Sequence, residues 1–123
     1  MPRDVLIVDD SAAIRKILQR VLVQANIPLT KVVEAGDGVE AMAALRVNNV
    51  GLIISDFQMP NMDGLQLLSQ VKQDPAYQKV NVVMISAEGG HARVTEATSL
   101  GAAGHVRKPF TVEQIRQKLA GLV

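Results

Sequence analysis

The chain has 123 residues, of which 48% are hydrophobic and 20% are charged, the composition of one ordinary globular domain. Thirteen basic and twelve acidic residues leave a formal net charge of +1, which excludes the strongly basic surface typical of nucleic-acid-binding or membrane-surface proteins. The chain contains no cysteine, and its apolar runs are far shorter than the roughly 18 residues of a membrane span, so disulfides, thiolate metal sites and transmembrane helices are not expected.

The chain begins with a strand pattern followed by a helix pattern. Val5–Val8 is a short aliphatic run that predicts a buried strand. Ser11–Asn26 then repeats its apolar residues at the spacing of an amphipathic helix, with Ser11 as the predicted N-cap. The polar side of this helix carries Arg15 and Lys16, which we expect to face solvent.

The same alternation continues to the end of the chain. In chain order, the pattern predicts a strand at Val32-Val33, a helix over Val39–Asn48, a strand at Leu52–Ile54, a helix from Gly64 to about Lys72, a strand at Val82–Ile85, a helix over Gly90–Leu100, a strand at His105-Val106 and a helix over Val112–Leu122. Asp63 with Gln66, and Thr111 with Gln114, have the spacing of capping boxes. The helix over Gly90–Leu100 has only a thin apolar stripe between flanking glycines, so we expect it to be mobile.

Strand–helix alternation at intervals of roughly 20–30 residues indicates an α/β fold, a doubly wound parallel sheet with helices on both faces. No linker, internal repeat or low-complexity tract divides the sequence, so we expect one domain over residues 1–123 with no output domain. Asp9-Asp10 interrupts the first apolar stretch too soon for a signal peptide. We therefore expect a soluble, cytoplasmic protein.

Polar residues follow four of the predicted strands. They are Asp9, Asp10, Asp56, Ser86 and Lys108. Each residue alone is more often part of a solvated turn or a helix cap, but the carboxyl ends of parallel strands meet at one edge of a sheet, where such folds bind ligands. Three carboxylates brought together repel unless a cation intervenes. Oxygen ligands favour Mg²⁺ or Mn²⁺ over Zn²⁺, and the accompanying alcohol and ammonium groups suit a phosphoryl group.

These residues lie in motifs that together resemble the receiver domain of two-component response regulators, most closely its single-domain, CheY-like chemotaxis members. The motifs are spread over essentially the whole chain and are Val8-Asp9-Asp10-Ser11, Glu34-Ala35-Gly36-Asp37-Gly38, Asp56-Phe57-Gln58-Met59-Pro60-Asn61-Met62-Asp63-Gly64, Ser86-Ala87 and Gly104-His105-Val106-Arg107-Lys108-Pro109-Phe110. The resemblance implies a flavodoxin-like, five-stranded sheet of order 2-1-3-4-5 with five helices, an order for which CheY-like proteins are themselves a standard example.

The resemblance also implies a role for each residue of the site. Asp56 would be the phosphoacceptor. Asp10, Asp56 and the backbone carbonyl of Gln58 would bind Mg²⁺ directly, and Asp9 would bind it through a water. Lys108 would pair with the phosphoryl oxygens, and the Ser86 hydroxyl would donate to one of them.

Further implied roles concern the lifetime and the output of the phosphorylated state. Gln58 and Glu88 would tune hydrolysis, and the Lys108-Pro109 peptide would be cis. Ser86 and His105 would form the switch that alters the face built from the last two helices and the strand between them. His105 stands where this family usually has Tyr or Phe, so two interpretations stay open: a switch residue, or a partly exposed histidine that hydrogen-bonds to its surroundings.

The resemblance implies the function of a phosphorylation-dependent switch, and three alternative functions stay open. The chain would take a phosphoryl group from a CheA-like histidine kinase, bind a target such as a flagellar switch protein or a phosphatase, and dephosphorylate itself. It would act as a monomer, without nucleic-acid or membrane partners. It would not turn over other substrates as an enzyme does. The alternatives are a phosphate sink, an intermediate phosphorelay receiver, and a Mg²⁺-dependent aspartyl phosphatase.

Overall fold

A computed structural model describes residues 4–27, 31–86 and 91–122 of the chain, and ten helices and strands alternate within that part. The strands are β1 (Asp4–Val8), β2 (Val32–Ala35), β3 (Val50–Asp56), β4 (Asn81–Ser86) and β5 (Gly104–Arg107). The helices are α1 (Ala12–Gln24), α2 (Gly38–Val47), α3 (Gly64–Gln73), α4 (His91–Leu100) and α5 (Val112–Leu119). All strand pairs are parallel, and the sheet has the order β2-β1-β3-β4-β5. The predicted fold class and strand order are confirmed.

The helix starts follow the predicted capping residues. Ser11 accepts a hydrogen bond from the Ile14 amide at the start of α1, and the capping boxes at the starts of α3 and α5 both form. The helix ends are less well predicted. α5 stops at Leu119 rather than Leu122, because the chain leaves the helix at Ala120 and passes through a positive φ at Gly121. The predicted start of α4 at Gly90 lies outside the described residues.

Successive side chains of the central strand β3 point to opposite faces of the sheet, and each face is covered by a layer of helices. In β3, Leu52 and Ile54 point to one face, where they pack with apolar residues of α1 and α5, and Ile53 points to the other, where it packs with α2, α3 and α4. All three side chains are completely or almost completely buried. Because both faces are covered, the exposed ends of the strands are the places where polar side chains can gather. Within residues 4–27, 31–86 and 91–122, no helix has the length and hydrophobicity that crossing a membrane requires.

The turn between β3 and α3 passes unusually close to the end of β3. The Gly64 amide donates to the Phe57 carbonyl at 2.9 Å, which folds the turn back over the strand. A Cβ at Gly64 would lie 2.1 Å from the backbone oxygen of Asp56 and 2.8 Å from the Met84 methyl group. Only glycine therefore allows this closure, and the closure fixes the backbone on which the Asp56 side chain stands.

Gly64→Ala is expected to lower the free energy of unfolding by about 1–3 kcal/mol, because the backbone of β3 or of the turn must shift to relieve the overlap. Urea denaturation measures the change. Gly104→Ala is the matched control, since a Cβ at Gly104 meets nothing within 4 Å. Equal stabilities for the two variants would contradict the close packing inferred at Gly64.

Candidate functional site

Three carboxylates meet at the carboxyl edge of the sheet. Asp9 and Asp10 follow β1, and Asp56 ends β3, the strand paired with β1. Each of the three offers an oxygen atom that lies within 4.8 Å of the other two. Asp9 is buried, Asp56 is partly buried and Asp10 is exposed, so the cluster opens toward solvent on the Asp10 side. The spacing and the all-oxygen donor set suit a hard divalent cation.

Asp9 is the most constrained member of the cluster. Its amide donates to the Ala35 carbonyl at 3.1 Å, and its Oδ1 accepts from the Ser11 amide at 2.9 Å. Its Oδ2 is buried and has no hydrogen-bond partner among the described residues. Burial raises the pKa of the Asp9 carboxyl above its usual value, and the negative charges of Asp56 and Asp10 raise it further. The hydrogen bond from the Ser11 amide and the positive charge of Lys108 act in the opposite direction. A buried carboxylate oxygen that accepts no hydrogen bond from the described residues is a place for a cation or an ordered water.

Lys108 brings a positive charge to the same edge. Its Nζ lies 3.5 Å from Oδ2 of Asp9 and 3.5 Å from Oδ2 of Asp56, so one ammonium bridges two carboxylates. Its amide donates to the Ser86 carbonyl at 2.8 Å, which joins the end of β5 to the end of β4. The Lys108-Pro109 peptide is cis, as the family resemblance implied. The lysine thus reaches the acidic cluster from the end of β5, the edge strand that is separated from β3 by β4.

Asp56 ends β3, and Ser86 ends β4, the strand paired with β3. Asp56 accepts from the Phe57 amide at 2.8 Å through Oδ1, which leaves Oδ2 toward Lys108. Ser86 is buried at the end of β4, next to β3. Gln58 is exposed in the loop after Asp56. Glu88 lies outside the described residues.

His105 lies on the edge strand β5 with its side chain exposed. The next residue, Val106, packs into the layer of α1 and α5, and side chains alternate along a strand, so His105 faces the other side of the sheet. It pairs in register with Met84, which lies on the same side as α4 and Ser86. In this structure the His105 side chain is therefore turned outward, toward solvent. Its predicted role as a switch stays a prediction.

Two side chains near the site make contacts that the sequence did not predict. Arg15, expected to face solvent with Lys16, instead donates to the backbone carbonyl of Asp9 and to Glu34. Asn61 adopts a positive φ and donates to Asp37 at 2.8 Å, which ties the loop after β3 to the N-cap of α2. Helical periodicity marks Arg15 as polar but does not show that the end of β2 lies beside it.

Asp9→Asn is expected to raise the free energy of unfolding in EDTA at pH 7, because the folded chain disfavours the charged form of this carboxyl. The raised pKa means that burial of the charge, together with repulsion by Asp56 and Asp10, outweighs the attraction of Lys108, so the neutral side chain is favoured. The amide oxygen of asparagine can still accept from the Ser11 amide. Urea denaturation of the two proteins in chelator gives the difference.

The sign of the pH dependence follows from the raised pKa of Asp9. The folded chain holds this proton more tightly than the unfolded chain, so its contribution to stability is full below the ordinary carboxyl pKa of 3.8 and is lost as the pH rises through the higher folded value. The asparagine variant lacks this titration. Its advantage over the wild type should therefore shrink in acid and grow toward neutrality; a lower stability of the variant at pH 7 would contradict the account.

Comparison with known proteins identifies relatives over nearly the whole chain. The model of the response regulator receiver domain matches residues 5–120. The chemotaxis protein CheY1 of Helicobacter pylori is 36% identical over 115 residues, which are 93% of this chain and 91% of that protein. The chemotaxis protein CheY homolog of Campylobacter jejuni is also 36% identical over 115 residues, 93% of this chain and 87% of the relative.

The solved structures extend this likeness to three dimensions. The chemotaxis response regulator CheY4 of Vibrio cholerae matches with a TM-score of 0.86 at 31% identity, over 100% of each chain. A family match of this extent, with relatives this similar on the same fold, means that the chain belongs to the response regulator receiver domain family.

Proposed function

We propose that this chain is a single-domain response regulator in a phosphorelay of the chemotaxis type, and that Asp56 accepts a phosphoryl group from a CheA-like histidine kinase. The observation that supports this most directly is the charge arrangement around Asp56. An ammonium lies 3.5 Å from one of its oxygens, and two other carboxylates have oxygens within 4.8 Å. In this proposal the chain acts in the cytoplasm as a monomer.

Phosphoryl transfer to Asp56 needs positioning and charge neutralisation more than covalent assistance. A carboxylate oxygen of Asp56 attacks phosphorus and forms a P–O bond, while the P–N bond of the donor phosphohistidine breaks and its electron pair goes to the imidazole nitrogen. Lys108 would then turn from the carboxylate to the phosphoryl oxygens, which carry the negative charge. Ser86, buried at the end of the adjacent strand, would donate its hydroxyl to another phosphoryl oxygen.

The acidic cluster would hold a divalent cation beside Asp56. Asp10, Asp56 and the backbone carbonyl of Gln58 would bind it directly. Asp9 would bind it through a water, held by Oδ2, which accepts no hydrogen bond from the described residues. Oxygen donors with an open, solvent-facing side favour Mg²⁺, with Mn²⁺ as an alternative. When bound, the cation offsets the negative charge of the carboxylates and of the phosphoryl oxygens.

The acyl phosphate on Asp56 would be a mixed anhydride and would hydrolyse in the same site. Water attacks phosphorus, the bond to Asp56 breaks, and the free carboxylate and inorganic phosphate result. Gln58, which is exposed two residues after Asp56, and Glu88 would govern the access of that water. The chain would thereby reset itself, which makes it a switch rather than an enzyme that turns over a separate substrate.

The output would be a change on the surface formed by α4, β5 and α5. Movement of the Ser86 hydroxyl toward the phosphoryl group would vacate space on its side of the sheet, where the exposed His105 could turn inward. Such a two-state shift is how local charge changes reach a distant surface. The partner on that surface would be a target protein such as a flagellar switch protein or a phosphatase.

A second candidate is a phosphate sink or an intermediate relay receiver, which would accept the phosphoryl group without switching a partner. The observation that favours it is the polar pair His105 and Arg107 on β5, at positions where the family resemblance leads one to expect an aromatic and an apolar residue. An aspartyl phosphatase is disfavoured because such enzymes separate nucleophile and general acid by one residue on the first strand, whereas Asp9 and Asp10 are adjacent.

The proposal is tested by capturing partners from lysate of the source cells with the unmodified chain and with the chain treated with Mg²⁺ and beryllofluoride, a phosphoryl mimic. A switch predicts at least one protein retained only, or much more strongly, by the treated chain. Identical partners for both forms would instead support the sink. The Asp56→Asn variant, treated in the same way, controls for partners that respond to the reagents rather than to the occupied site.

Lys108→Ala is expected to permit slow labelling by acetyl phosphate but to remove the difference in partner binding between the two forms. The other groups of the pocket still surround Asp56, so labelling can proceed. The phosphoryl group, however, loses the lysine ammonium that would join it to the end of β5. Labelling is followed by intact mass, and affinity by titration with the captured partner. Normal phosphorylation-dependent binding by this variant would contradict the role given to Lys108.

A further inference from the structure

The backbone carbonyl that precedes Asp10 is held by a side chain of α1. Arg15 donates through Nη1 to the Asp9 carbonyl oxygen and through Nε to Glu34 Oε1, the second contact at 2.9 Å. Its side chain is only 18% exposed, which is low for an arginine on the polar side of a surface helix. The guanidinium therefore connects three segments: α1, the end of β2 and the turn after β1.

The position of Asp10 depends on that turn. The peptide between Asp9 and Asp10 is planar, so fixing the carbonyl oxygen of Asp9 fixes the plane from which the Asp10 backbone departs. The Asp9 amide is held at the same time by the Ala35 carbonyl at 3.1 Å. Asp10 itself is exposed, and its aim into the cluster must come largely from its backbone.

We infer that Arg15 is a positioning residue for the acidic cluster, which orients the Asp9-Asp10 peptide so that the Asp10 carboxylate is preorganised for a divalent cation, with Glu34 as the anchor of the guanidinium. This inference rests on the proposed function, because it concerns the same cation site. Groups that orient metal ligands from outside the coordination sphere typically change metal affinity by about 10–100-fold when they are removed.

Charge and position make opposite predictions for Arg15. If Arg15 acted only through its positive charge, its removal would strengthen the binding of a cation nearby, because like charges repel. If it acts by holding the Asp9 carbonyl, its removal weakens binding. The sign of the change in Mg²⁺ affinity therefore separates the two roles.

Lys16 provides a matched control in the same helix. Its Nζ lies 3.2 Å from Oε2 of Glu34, the carboxylate that also anchors Arg15, but Lys16 is 63% exposed on its side chain and has no described contact with Asp9. Replacing Lys16 removes the same unit of charge from the same ion-pair cluster and leaves the Asp9 carbonyl bound.

The test is calorimetric titration of Mg²⁺ alone into the unphosphorylated chain, with urea denaturation in EDTA to establish that each variant is folded. Arg15→Gln is expected to weaken Mg²⁺ binding by about 10–100-fold. Lys16→Gln is expected to bind within about twofold of wild type, because an exposed charge is screened by salt. Glu34→Gln, which loosens the anchor but keeps the arginine, is expected to give an intermediate loss.

Wild-type or tighter binding by Arg15→Gln would overturn the inference, and so would an equal loss in Lys16→Gln. If Arg15→Gln is unfolded at the titration temperature, Glu34→Gln decides instead, with wild-type affinity counting against positioning. Asp10→Ala separates this result from the proposed function: Mg²⁺ affinity that survives its loss would overturn the cation site itself, whereas a loss in Asp10→Ala with none in Arg15→Gln would overturn only the role of Arg15.

Discussion

Asp56→Asn is expected to abolish labelling of the chain by acetyl phosphate in the presence of Mg²⁺. Asparagine has nearly the shape of aspartate, but its neutral amide lacks the carboxylate nucleophile that attacks phosphorus. Loss of a nucleophile removes most of the rate, about 10⁶-fold where it has been measured in a hydrolase, so no labelled protein should be seen on the timescale of the wild-type reaction. Intact mass measured over time is the readout.

The control for this variant is the loss of a carboxylate elsewhere. Glu113 lies in the first turn of α5 and pairs with Arg116 on the same helix, with its side chain 59% exposed. Glu113→Gln should therefore label at the wild-type rate. Labelling of Asp56→Asn to the wild-type extent would mean that another side chain accepts the phosphoryl group.

Removal of the divalent cation is expected to have the second largest effect. Without it, the phosphoryl oxygens must approach three carboxylates that already repel one another, and one of these has a buried oxygen with no hydrogen-bond partner among the described residues. A bound cation contributes several kcal/mol to such charge stabilisation, so labelling in EDTA should slow by about 100-fold or more. Readdition of Mg²⁺ in excess should restore the rate.

The Asp10→Ala variant links that effect to the cluster. Asp10 is the exposed carboxylate of the three, so its loss should disturb the fold little while the Mg²⁺ concentration needed for half-maximal labelling rises. Labelling that continues undiminished in EDTA, or an unchanged Mg²⁺ requirement in Asp10→Ala, would contradict the proposed cation site.

The sheet could be predicted because its determinants are local. Leu52, Ile53 and Ile54 are apolar in succession, which indicates a strand buried on both faces, and the structure buries all three. Ser11 and Asp63 mark helix starts through hydrogen bonds to amides three residues ahead. Such signals involve residues close in sequence, and they need no knowledge of the tertiary structure.

The convergence of Asp9, Asp56 and Lys108 follows from the same reasoning, since parallel strands end at one edge. What could not be predicted is the contact made by a long side chain across elements. Arg15 and Glu34 are 19 positions apart, and their pairing depends on how α1 crosses the end of β2. That no group in the described part of the chain donates a hydrogen bond to Asp9 Oδ2 likewise depends on where every neighbouring group lies.

We expect Asp56 to be phosphorylated in a reaction that depends on a divalent cation. The most direct measurement is peptide mapping by mass spectrometry after treatment with acetyl phosphate, with and without EDTA. The Mg²⁺ sample should carry one phosphoryl group per chain, on the peptide that contains Asp56, and the chelated sample should carry almost none. A phosphoryl group on a different residue, or equal labelling in both samples, would contradict this expectation.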